Sequence, residues 1–96
     1  MRRAARVDGN HAEVIAAFRK LGFSVADTSK LGAGFPDCVV ARFKRTAVVE
    51  IKDGSKVPSA RRLTVPECIF KDGWLGTYLI VESIKDVTDI AKAWGR

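Results

Sequence analysis

Apolar and polar residues change period several times along this chain, and the changes mark out its elements. From Asn10 to Leu21, Val14, Phe18 and Leu21 fall on one stripe, with Ile15 beside them and His11 one turn behind Ile15. That spacing predicts an amphipathic helix. Asp8 or Asn10 can cap its start, and Gly22 stands where a left-handed C-terminal cap belongs. Phe23 to Asp27 alternates like a strand, and Thr28 to Pro36 is a glycine-containing loop. The loop is no phosphate-cradling P-loop, because no Gly-Lys-Ser/Thr follows its glycines. It suits backbone passing close to something at the mouth of a site.

The stretch from Gly34 to Lys52 predicts two apolar, β-branched strands around a polar Lys44-Arg45 turn. Antiparallel pairing about that turn sets Phe43 opposite Thr46, Val39 opposite Glu50 and Asp37 opposite Lys52. Side chains alternate, so Asp37, Glu50 and Lys52 share a face with Val39, Ala41, Phe43 and Val48. Cys38, Val40, Ala47, Val49 and Ile51 take the other face. Asp53 to Leu63 is polar and basic and holds Pro58. Thr64 begins a helix through about Lys71, with Glu67 completing a capping box and Asp72-Gly73 ending it. Thr77 to Val81 is a short apolar strand. Ser83 with Asp86 caps a last helix, whose buried stripe is Val87, Ile90, Ala91 and Trp94. Residues Arg2 to Val7 read as a basic arm or lead-in. The order α-β-β-β-α-β-α predicts an α/β fold, a mixed sheet with helices packed against it.

Ninety-six residues make one domain, and no apolar run approaches the ~18 residues of a membrane span. The basic start is not followed by a signal-peptide core, so a cytoplasmic location is expected. A net charge of +6 and a pI near 9.8 favour polyanions as partners, nucleic acid first. Between Arg42 and Arg62, seven basic side chains face only Glu50 and Asp53, a net +5 that holds most of the excess. Lys56, Arg61 and Arg62 follow directly on the charged strand end and, with Lys30 of the glycine loop, are the candidate phosphate contacts. Lys44 and Arg45 are assigned to the solvated hairpin turn. Cys38 and Cys68 lack metal-ligand spacing and read as small core side chains, as Trp74 and Trp94 read as core rather than base-stacking residues.

Two carboxylates and an amine converging in otherwise apolar central strands are expensive, and a divalent cation is a good reason for them. The simpler reading is a cross-strand Asp37–Lys52 ion pair with Glu50 solvated. His11-Ala12-Glu13 mimics the His-x-Glu of zinc deaminases, but the Pro-Cys-x-x-Cys that must accompany it is absent. His11 reads as a hydrogen-bonded core or rim histidine, and no nucleophile elbow is present.

Pro36-Asp37 followed by Glu50-Ile51-Lys52 resembles the PD-(D/E)XK nuclease superfamily. More narrowly, the chain resembles a stand-alone VRR-NUC domain of phages and bacteria. Gly34-Phe35-Pro36-Asp37, the Glu50-to-Gly54 strand end, Pro58-Ser59 before Arg62-Leu63-Thr64, and Trp74-Leu75-Gly76 carry the likeness. It spans about Asp8 to Asp89. It departs where many relatives have Gln-x-x-Trp and this chain has Glu67-Cys68-Ile69-Phe70. The resemblance implies a restriction-endonuclease-like fold and a Mg²⁺-dependent nuclease, with Mn²⁺ able to substitute. Asp37, Glu50 and the Ile51 backbone carbonyl would hold the metal, Lys52 would orient the attacking water or stabilise charge building on the phosphate, and Glu13 would be the extra acid of the first helix or a solvated helix glutamate. It also implies a homodimer cutting branched DNA such as four-way junctions, in a bacterial cell or phage-infected host. A less selective endonuclease or exonuclease with the same site, and a catalytically silent DNA-binding module, are the alternatives.

Overall fold

The computed structural model describes residues 8–95; the predicted basic arm at Arg2 to Val7 lies outside them. Helix α1 (His11–Lys20) is followed by β1 (Ser24–Asp27), β2 (Cys38–Arg42) and β3 (Arg45–Ile51). A short 3₁₀ turn (Pro58–Arg61), α2 (Val65–Gly73), β4 (Thr77–Val81) and α3 (Ile84–Ala93) complete the chain. The expected α/β order holds, with the 3₁₀ turn added where Pro58 opens the polar segment. The strands form one mixed sheet in the order β1-β2-β3-β4, antiparallel except for the parallel β3–β4 pair. Among the described residues, no helix is long and apolar enough to cross a membrane.

Local chemistry explains where the elements stop. Gly22 takes φ +88°, its N–H bonds to the Arg19 carbonyl and the Phe23 N–H reaches back to Phe18, a Schellman closure of α1. Leu21 lies past the last helical turn and is exposed, so it leaves the predicted stripe. At α2, Thr64 and Glu67 close the predicted capping box, and the helix runs to Gly73. Ser83 caps α3 by accepting from the Asp86 N–H.

The hairpin turn is Phe43-Lys44 rather than Lys44-Arg45. Both residues are left-handed, at φ 53° and 63°, the sense that matches the twist of paired strands in a two-residue turn. The Arg42 guanidinium lies 4.4 Å from the Phe23 ring centroid and 4.9 Å from that of Phe43, and it donates to the Leu21, Ala91 and Trp94 carbonyls. It thus ties the turn to the ends of α1 and α3. Arg42 now opposes Arg45 and Val39 opposes Val48. This register differs from the expected one by two residues on β3. A shift of two keeps every side chain on its face, because alternation has period two; continuing it sets Asp37 level with Glu50 instead of Lys52.

The predicted rear face is the core. Cys38, Val40, Ala47, Val49 and Ile51 pack with Val81 against Val14, Ile15 and Phe18 of α1 and Val87 of α3. Trp94 packs against that core and stands 5.8 Å from Phe23. The opposite face is covered only in part. None of the residues of α2 is buried, and Phe70 joins it to Phe35, Trp74 and Tyr78 through ring contacts of 5.1 to 6.3 Å. Trp74 and Cys68 are therefore exposed on this outer layer, not core residues.

Candidate active site

Asp37 reaches the site on a backbone fixed from both sides. Its N–H donates to the Val49 carbonyl, its carbonyl accepts from the Thr28 N–H, and the Thr28 hydroxyl holds the preceding Pro36 carbonyl at 2.7 Å. The loop before it also seats α2. Gly34, at φ +81°, leaves room for the first turn of that helix, since a Cβ there would stand 2.4 Å from the Pro66 carbonyl oxygen. The glycine expected to allow a close approach does so against protein backbone.

Asp37, Glu50 and Lys52 converge on one face, in a cleft of about 340 Å³ also lined by Asp8, Lys56, Thr64 and Glu67. Asp37 Oδ2 accepts from the Ile51 N–H at 2.7 Å. In a strand the N–H and C=O of one residue point to the same side, so the Ile51 carbonyl shares that edge. Lys52 bonds Glu67 at 2.8 Å and lies 3.6 Å from Glu50. The simpler ion-pair reading therefore fails twice: the partner of Lys52 is Glu67 instead of Asp37, and the Glu50 side chain is only 4% exposed.

The electrostatics follow from this crowding. Burial, with the charges of Asp37 and Glu67 behind it, pushes the Glu50 carboxyl up to about 9. Burial also raises Asp37, against the opposing Ile51 N–H bond. Burial works against the charge of Lys52, but the hydrogen bond and charge of Glu67 outweigh it and the ammonium is held above its usual value. Glu67 is lowered in turn: burial opposes its charge, and the bonds from Lys52 and the Thr64 N–H prevail.

Glu50 Oε1 is buried and has no hydrogen-bond partner. An acceptor in that state, beside a second carboxyl, fits a hard cation, which would offset both the desolvation and the mutual repulsion. No three His, Cys, Asp or Glu side chains among the described residues enclose an ion by themselves. A shell completed by the Ile51 carbonyl and water is the one this donor set suits, and Mg²⁺ characteristically keeps several waters.

Other predicted site residues divide. Glu13 is exposed and faces a groove with Ala16, Ala17, Lys20 and Ile84, so α1 does not bring it to the cleft. It lies two positions past His11, on a helix that turns its stripe into the core instead. Lys56 lines the cleft, paired with Asp8 at 3.6 Å. Arg62 and Lys30 are exposed. Arg61 is paired with Glu82 at 3.1 Å. His11 is a buried rim histidine, its Nε2 3.0 Å from Asp27.

Three further residues contribute to the site without a local sequence signal for it. Asp8 was a capping candidate and instead lines the cleft. Asn10 stands at the N-cap without a side-chain cap bond; its amide donates to the Lys52 and Glu82 carbonyls and fixes the backbone behind the lysine. Glu67 was legible as half of a capping box, but nothing local signals that its carboxylate also reaches a strand fifteen residues earlier.

Comparison of the chain with protein-family models, curated proteins and solved structures returned no match.

Proposed function

We propose that the chain is a metal-dependent endonuclease of the VRR-NUC type within the PD-(D/E)XK superfamily, hydrolysing DNA phosphodiester bonds. The observation that carries this reading is the nearly inaccessible Glu50 carboxyl, with an unpartnered oxygen beside Asp37 and Lys52. The single Lys52 ammonium, shared with Glu67, does not balance two such carboxylates, and a metal cation would.

Asp37, Glu50 and the Ile51 carbonyl would hold Mg²⁺. The ion, when bound, supplies acidification of a water and withdrawal of charge from the phosphoryl group. Lys52, protonated and held by Glu67, donates to the attacking water or to a phosphate oxygen and stabilises negative charge as it develops. Asp37 keeps its orientation through the Ile51 N–H. Lys56, Arg61, Arg62 and Lys30 bind flanking phosphates. A fourfold branched substrate and a homodimer are part of the proposal, since a two-fold pair of sites suits symmetric cuts. Exposed Val65, Ile69 and Leu75, on and after α2, are apolar surface that a second copy would cover.

The test is cleavage of an end-labelled four-way junction beside linear duplex and single-stranded DNA. Junction cutting is expected with Mg²⁺, lost in EDTA and restored by Mn²⁺. Cleavage unchanged by chelation would contradict the metal site, and equal cutting of all three substrates would favour the less selective endonuclease or exonuclease. Light scattering checks the dimer, which a monomeric mass would refute.

A further inference from the structure

We infer that Glu67 is the positioning residue for Lys52: the capping box of α2 presents a carboxylate that fixes where the catalytic ammonium stands. The inference rests on the role given to Lys52 above and adds a residue that this role did not require.

One oxygen does both jobs. Glu67 Oε1 accepts from the Thr64 N–H at 2.8 Å and from Lys52 Nζ at 2.8 Å. A glutamate on a free helix surface samples several rotamers, but the backbone N–H at the N-cap holds this one in place. Lys52 consequently meets an acceptor whose position the start of α2 sets. Glu50, its other acidic neighbour, pairs with it more loosely, at 3.6 Å. An ammonium has three donors, so a bond to Glu67 leaves two for a water and a phosphate oxygen.

The helix covers the second sheet face only in part, through the ring contacts of Phe70. None of its residues is buried, whereas α1 and α3 both feed the core. What it has is a fixed seat at its first turn, against Gly34 of the loop that delivers Asp37. One contact surface thus places the carboxyl of Asp37 and, through Glu67, the ammonium of Lys52. The loop, the helix start and the strand end act as a unit.

The experiment compares Glu67→Ala, Glu67→Gln and Ser83→Ala with the parent. Gln keeps an oxygen on the same stem and supports a capping box, while Ser83→Ala removes the cap of a different helix with a side chain that does not line the cleft. Two readouts are taken: the ¹⁵Nζ resonance of the Lys52 ammonium, and cleavage at saturating DNA and Mg²⁺. The parent should give a resolved, exchange-protected resonance. Glu67→Ala should lose that protection and lower kcat about ten- to a hundredfold with KM unchanged. Glu67→Gln should restore most of both, and Ser83→Ala should lower Tm without moving either. An alanine variant that keeps resonance and turnover, or a glutamine variant that falls as far as alanine, overturns the assignment. A parent that cuts no DNA would defeat the proposed nuclease, while the ammonium resonance would still decide whether Glu67 fixes Lys52.

Discussion

The two faces of the sheet are built from the same two central strands and solve opposite problems. On one, Cys38, Val40, Val49 and Ile51 meet α1 and α3 in a continuous apolar cluster. On the other, Val48 shares its strand with Glu50, and Glu50 and Lys52 are both buried. The first face follows the usual rule that burial stabilises roughly in proportion to apolar area. The second breaks it, keeping an acceptor without a partner and a carboxyl that resists ionisation. A molecule this small spends stability on that face only if the charges do something. The contrast separates what folds the chain from what it works with.

Substitutions on the working face should sharpen the contrast most. Asp37→Ala should lower Mg²⁺-dependent cleavage by roughly three orders of magnitude or more, with DNA binding retained or strengthened. A variant cutting as fast as the parent would show the site to be wrongly assigned. On the folding face the effect should appear in stability instead. Phe18→Ala should cost about 3–5 kcal/mol, a large share of the ~5–14 kcal/mol expected for a chain this long. Urea titration reads this, and a loss below about 1 kcal/mol would mean the core is misplaced.

A smaller effect of opposite sign is expected at Glu50. Its folded carboxyl stays protonated up to about 9, against 4.5 for the free side chain. The unfolded chain therefore loses this proton first, and metal-free stability should fall as pH rises through that window. Glu50→Gln should flatten the slope and, at pH 8, raise stability by about 1–2 kcal/mol, or several degrees in Tm. Thermal melts across pH decide it, and a destabilised glutamine variant would argue that the carboxylate is already satisfied. The smallest effect should be at the rim. Arg62→Ala should reduce the salt dependence of duplex binding by about 0.9 in log–log slope; an unchanged slope would remove Arg62 from the interface.

Much of this was legible from residue patterns. The periods of α1, β4 and α3 and the caps at Thr64 and Ser83 lie in short stretches, so local chemistry determines them. The convergence of Asp37, Glu50 and Lys52 was readable although the turn was misplaced, because a two-residue slip leaves faces intact. What was not legible depends on distant packing. Glu13 and Asp8 differ by five positions on one polar segment, and only the seating of α1 on the sheet decides which reaches the cleft. The pairing of Arg61 with Glu82, just past β4, is likewise set by distant packing. The Phe43-Lys44 turn has neither glycine nor asparagine to announce it, and Arg42 supplies its support from outside. The apolar neighbours of Trp74 and Cys68 suggest a core position, whereas α2 lies on the surface.

The central claim, that Asp37, Glu50 and the Ile51 carbonyl form a cation site, is tested most directly by Mn²⁺ broadening of amide resonances. Substoichiometric Mn²⁺ should selectively broaden the amides of Asp37, Ile51 and Lys52, and the effect should disappear in Glu50→Gln. Broadening spread evenly over the surface, or centred on other residues in both proteins, would contradict it.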